Sequence, residues 1–114
     1  MSLDVDLMVT KPCSVYSNNI THNLGRMAEQ VKLGNGTTLY DVMWRPDEQP
    51  DMKYARDISE LLDEALGILM SDPAKFMAYN PENGWGSYDG LVNFVYRYRN
   101  ACWDNPDAEL SVSR

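Results

Sequence analysis

His22 is the only histidine in the chain, and it stands in "YSNNITHN", Tyr16 to Asn23, a run dominated by hydrogen-bonding side chains. Imidazole is the side chain best suited to moving a proton near neutral pH, so His22 is the natural candidate for a general base. That role needs a nucleophile or an acidic orienting group placed beside it, and no motif in the sequence supplies one. The plainer alternative is a hydrogen-bonded histidine in a first helical turn. The same run also suggests binding. A helix start exposes free backbone amides, and Asn19, Thr21, His22 and Asn23 would add side-chain contacts to an anion or a carbonyl. Capping a helix uses one or two such residues, and this run holds more.

Two other stretches carry candidate chemistry. In Trp44-Arg45 the guanidinium of Arg45 can fork onto a carboxylate or phosphate and stack on an aromatic face. Its plain reading is a buried Trp44 whose neighbouring Arg45 pairs with a nearby acid. In "NPENGWGSYDG", Asn80 to Gly90, Asn83-Gly84 favours a tight turn with positive φ. Gly84 and Gly86 flank Trp85, so backbone shapes that glycine adopts most easily set the position of the ring. Asn83, Trp85 and Tyr88 are the candidates for ligand contact here. The plain alternative is a turn, a cap at Ser87 and a Trp plugging the core. "YRYRNACW", Tyr96 to Trp103, interleaves aromatic and basic residues as single-strand binders do. On a helix, however, adjacent residues point apart, and two arginines do not offset a net charge of −7. No general nucleic-acid binding is expected.

The remaining reaction signatures are absent: no Walker loop, no G-x-S-x-G, no H-E-x-x-H and no dinucleotide fingerprint. One histidine and two distant cysteines, Cys13 and Cys102, make neither a zinc pattern nor a disulfide framework. Neither metal nor cofactor is expected.

Several elements must position these residues. "LDVDLMVT" alternates Leu3, Val5 and Leu7 with Asp4 and Asp6, the pattern of a half-buried strand that Lys11-Pro12 breaks. "CSVYS" reads as a second strand or an extended lead-in, with Cys13, Val15 and Ser17 on one face. Ile20, Leu24, Met27, Ala28 and Val31 then recur at helical spacing, with a cap at Ser17, Asn18 or Asn19, a mid-helix Gly25, and an end at Gly34 or Gly36. "TTLYDVMWRP" would suit a strand by its β-branched and aromatic content, but Thr38 followed by Asp41 resembles a capping box and favours a short helix that Pro46 ends. Ile58, Leu61, Leu62, Ala65, Leu66 and Leu69 define an amphipathic helix. Asp72-Pro73 opens a short helix that should bury Phe76 and Met77. Ser87 caps a last helix whose inner face holds Tyr88, Leu91, Val92, Val95, Tyr98 and Cys102, widened by Phe94. Leu110 and Val112 alternate with Glu109, Ser111 and Ser113 in a terminal strand, whose natural partner is the N-terminal one. The expectation is one α+β domain over residues 1–114, with four or five helices packed on a small sheet formed by the N- and C-terminal strands.

The charge is uneven: residues 41–64 carry eight acidic side chains against three basic ones. The plain reading is a solvated helix face with acids biased to helix starts; the sharper one is an acidic patch that docks on a basic protein. No apolar stretch approaches membrane-spanning length, and the acidic start "MSLDVDLMVT" lacks the apolar run of a secretory leader. A cytoplasmic location is the simplest expectation.

The segments "SNNITHNLGRMAE", "WRPDE", "NPENGWGSYDGLVNFV" and "NPDAELSVSR" resemble a set of small uncharacterised proteins carried by bacteriophages and prophages, with "NITHNLG" and "NGWGSY" as the specific motifs. The resemblance runs from Val15 to Arg114, and this chain is longer around "VKLGNGTTLYDVMW". It implies a genomic setting, the cytoplasm of a host cell, and no particular mechanism. The expected function is a non-enzymatic binding module, a phage-type accessory protein holding a host protein or a small polar or anionic ligand such as a nucleotide. The alternative is a small enzyme with His22 as base and Arg45 as anion holder, acting on a nucleotide-like or amide substrate. A structural role in the virion is a third possibility. Proximity of "SNNITHN" and "NGWGSY" across a pocket would favour the ligand, and a carboxylate or hydroxyl bonded to His22 would favour chemistry.

Overall fold

A computed structural model describes residues 2–10 and 13–114, leaving the expected break at Lys11-Pro12 and the side chain of Cys13 outside the description. β1 (Ser2–Thr10) is the central strand of a three-stranded antiparallel sheet, between β2 (Cys13–Thr21) and β3 (Glu109–Ser113). The expected pairing of the two ends of the chain is present: Val5 lies opposite Val112, and Leu7 opposite Leu110. The inner face buries Leu3, Val5, Leu7 and Ile20. The outer face carries Ser2, Asp4, Asp6, Ser17 and Asn19, with the exposed Val15 among them.

The largest departure from the sequence reading lies between Ser17 and Glu29. β2 continues through "NNIT", with Asn18 opposite Val5 and Ile20 opposite Leu3. Ser17, Asn18 and Asn19 are therefore strand residues and cap nothing. Ladder pairing with β1 outcompetes the helical spacing, which begins to count only at Leu24. Thr21 is the cap, and it opens a single 3-10 turn (His22–Leu24) followed by α1 (Gly25–Glu29). Gly25 stands at the start of α1, where a Cβ would sit 3.3 Å from the Tyr40 ring. The helix ends before "LGNG", and Gly36 (φ 90°) serves a tight turn in which Gly36 N–H reaches Leu33 O at 3.2 Å. The inner side chains of β2 are Tyr16, Asn18 and Ile20, which leaves Val15 and Ser17 on the outer face.

The other helices follow their sequence signals. α2 (Leu39–Trp44) starts on the Thr38/Asp41 capping box, and Pro46 opens a 3-10 turn (Pro46–Glu48). α3 (Ala55–Ser71) and α5 (Tyr88–Asp104) run antiparallel, since Tyr88 meets Leu69 at one end and Arg99 meets Asp63 farther along. Between them α4 (Pro73–Met77) is capped by Asp72. It buries Phe76, but Met77 is exposed, because a helix of five residues has room for one inward side chain. The helices pack on the inner face of the sheet around Leu62, Leu69, Leu91, Val95 and Tyr98. No helix among the described residues is long and apolar enough to cross a membrane.

The acidic stretch is largely absorbed within the fold. Asp41 closes a capping box, Asp57 accepts the Lys53 and Tyr54 N–H groups, Asp47 pairs with Arg114, Glu48 with Arg45 and Asp63 with Arg99, while Glu64 accepts the Gly34 N–H at 2.8 Å.

Candidate functional site

The end of β2 and the loop before α5 meet. On the strand side, Thr21 Oγ1 accepts the Asn23 N–H at 3.3 Å, which turns the chain sharply into the 3-10 helix. On the loop side, local bonds fix the backbone of residues 80–88. Gly84 N–H donates to Pro81 O (3.3 Å), Trp85 N–H to Asn83 Oδ1 (3.0 Å) and Tyr88 N–H to Asn80 Oδ1 (2.8 Å). Gly84 (φ 76°) and Gly86 (φ 105°) hold left-handed conformations on either side of Trp85. Gly86 also makes the seam. A Cβ on it would lie 2.8 Å from Thr21 Cγ2 and 3.0 Å from Leu24 Cγ, so only a residue without a side chain lets the loop close on the strand end.

This closure leaves a cleft of about 530 Å³ lined by Ser2, Asn19, Thr21, Asn23, Asn83 and Trp85. The indole of Trp85 stands out into solvent, 70% exposed, and does not plug the core. A smaller cleft of about 260 Å³ lies between β2 and the start of α5. It shares Asn19 and Thr21 with the first, so the two flank the same strand end. Neither lining includes a charged side chain. The side-chain amides of Asn19 and Asn23 bond to no other described residue.

Four of the residues singled out in the sequence, Asn19, Thr21, Asn23 and Asn83, therefore converge with Trp85 on one cleft. The other three do not line it. His22 turns inward, and its Nδ1 accepts the Trp44 Nε1–H at 2.7 Å. Trp44 is buried and stacks on Tyr40 with ring centroids 5.3 Å apart. The bond leaves the hydrogen of the neutral imidazole on Nε2. No carboxylate or hydroxyl among the described residues bonds to His22. Arg45 pairs with Glu48 at 2.8 Å, beside a buried Trp44, as the plain reading of that dipeptide expects. Tyr88 is a core residue whose hydroxyl donates to Leu69 O, and burial pushes its ionisation upward, with Asp89 adding to the effect.

Ser2 was not legible as a site residue. It reaches the cleft because antiparallel pairing sets it opposite Thr21, and nothing local to "MSLD" signals that. Among the described residues no group of three or more His, Cys, Asp or Glu is placed to hold a metal ion. A groove of similar size, about 490 Å³, runs between residues 46–53 and β3. Within it Asp47 is held by Arg114, and Lys53 O accepts the Leu110 N–H. No protein-family model matches the chain, and neither a curated protein nor a solved structure is significantly similar to it.

Proposed function

We propose that this chain is a non-enzymatic binding module, a phage-type accessory protein that holds a small polar ligand in the cleft between the end of β2 and the Trp85 loop. The observation that carries the reading is the seam at Gly86. Two segments more than sixty residues apart, each richer in polar groups than its local structure requires, close on one another and line a common cleft. Its volume falls within the range of ligand sites, roughly 300–1,000 Å³. Trp85 favours binding as well, since an indole held in water by two left-handed glycines forgoes the burial that would otherwise stabilise it. The catalytic alternative draws no support from the His22 geometry, because Nδ1 is engaged by an indole donor and no orienting acid is bonded to the ring.

A thermal-shift panel tests the reading. A ligand that binds the folded state alone raises the unfolding temperature, by an amount that grows with the logarithm of its concentration above Kd. Nucleotides, nucleosides, sugars and small amides are screened against wild type, Trp85→Ala and His22→Ala. The expected result is stabilisation by one class, lost in Trp85→Ala and kept in His22→Ala wherever that variant still folds. Stabilisation that survives Trp85→Ala would place the ligand elsewhere. No stabilisation by any class would transfer the role to a host protein partner.

A further inference from the structure

We propose that the ligand of this cleft is an uncharged saccharide of at least two ring units, with one ring stacked on Trp85 and the next running past Asn19 and Thr21 toward Asn93. The inference rests on the binding reading above and narrows it to one chemistry.

Charge removes the first alternatives. Neither of the adjoining clefts is lined by a lysine, an arginine or any other charged side chain. The open face beside them is acidic: Asp4 lies opposite Asn19, and Asp6 opposite Ser17, alternate β1 positions that share the outer face with Ser2. The chain as a whole carries −7. A phosphate would enter against this field with no cation in the lining of either cleft. A further cleft of about 330 Å³ shares Asn23 with the site, and there Arg26 stands with the acid Glu82 in the same lining.

What does line the site matches a polyol. Asn19 and Asn23 each present both donors and an acceptor, Asn83 adds its amide donors beside an Oδ1 that accepts the Trp85 N–H, and Ser2 and Thr21 add hydroxyls. Sugar hydroxyls are themselves donor and acceptor at once, so every group on either side can be satisfied. The free amides of Asn19 and Asn23 are the ones available for this. The exposed face of Trp85 supplies the apolar half. A pyranose presents C–H bonds of partial positive charge on one face, and an indole face is the negative side of its quadrupole. Asn19 and Thr21 line both clefts, which makes the strand end a ridge along which a second ring can continue past Ser87 and Asn93.

The test follows the three tryptophan indole N–H signals by two-dimensional ¹⁵N–¹H NMR, with the Trp85 signal assigned from Trp85→Ala. The probes are neutral hexoses and N-acetylhexosamines, their disaccharides, uncharged nucleosides and nucleoside monophosphates. The expected result is a saturable shift of the Trp85 signal by sugars, with a disaccharide binding about tenfold or more tighter than its monomer. Asn19→Val, a change at an exposed strand position, should weaken that binding about tenfold, the loss of one good hydrogen bond. A Trp85 shift with nucleosides but not sugars would overturn the saccharide assignment and leave the binding site standing. Monophosphates binding more tightly than nucleosides would overturn the charge argument. If no probe moves Trp85 in a protein whose spectrum remains well dispersed, both the saccharide and the small-ligand reading fall.

Discussion

Gly86 meets two separate demands, and they can be measured apart. Its φ of 105° strains any residue with a Cβ, and its contact with Thr21 and Leu24 leaves no room for one. Gly84 has a φ of 76°, and a Cβ added there would meet nothing within 4 Å, so it meets the first demand alone. Gly84→Ala should therefore cost about 1 kcal/mol, the strain of a left-handed non-glycine residue. Gly86→Ala should cost about 2–4 kcal/mol, because overpacking against β2 is added to the strain. Urea unfolding of the two variants decides the matter, and equal costs would mean that the loop does not close on the strand. Tyr98 poses the opposite case. Its ring is fully buried, edge-on to Phe94 and stacked on Tyr16, and its hydroxyl finds no hydrogen-bond partner among the described residues. Removing an unsatisfied buried hydroxyl also removes its desolvation cost. Tyr98→Phe should leave stability unchanged or raise it. A loss of about 1 kcal/mol or more in the same urea experiment would reveal a partner for the hydroxyl.

The short helices depend on their caps more than on their length. α2 has six residues, too few to persist alone, and its first turn is held by the reciprocal bonds of Thr38 and Asp41. Thr38→Ala should cost about 1 kcal/mol, and Asp41→Ala a similar amount. The two bonds support each other, so the double variant should lose less than the sum; strict additivity in a thermal or urea cycle would show that the box does not act as a unit. This helix was readable because Thr38, three residues ahead of Asp41, carries its own start signal. So were α3, with its long apolar stripe, and α5, with Ser87 bonded to Gly90 N–H. "SNNIT" was not readable, because its conformation is set by hydrogen bonds to β1 and not by its own side chains. The same division runs through the site. The turn at Asn83-Gly84 and the clamped position of Trp85 are local properties. The inward rotation of His22 onto Trp44 and the arrival of Ser2 beside Thr21 depend on pairings across 22 and 19 positions of chain, which no local pattern encodes.

On the scale of the whole molecule, the two chain ends are tied to one another and to α2. β3 closes the sheet against β1, and Arg114 then reaches back to α2, donating to Trp44 O at 2.8 Å and forking onto Asp47. The hydrogen bond from Arg114 holds the Asp47 carboxyl below its usual range. Its small contribution to stability is thus present above that range and fades as pH falls through it, and it is limited further by exposure to solvent. Cys102 reports on the opposite limb. It sits in the core on α5, and burial pushes its thiol up to about 12 from an ordinary value near 9. The folded state therefore favours the protonated thiol. Its contribution is fully present below the ordinary thiol range and is lost as pH rises through that range toward 12. The thiolate is also the species that reacts with disulfide reagents. In a Cys13→Ser background, where Cys102 alone can report, labelling of the native protein at pH 8 should be slow and should accelerate in proportion to the unfolded population as urea is added. If the ends and the core form one unit, the free energy derived from labelling should equal that from global unfolding. Truncating Arg114 should then lower both by the same amount. Labelling that proceeds through a smaller opening, insensitive to the loss of Arg114, would show that α5 frays from the sheet independently of the chain ends.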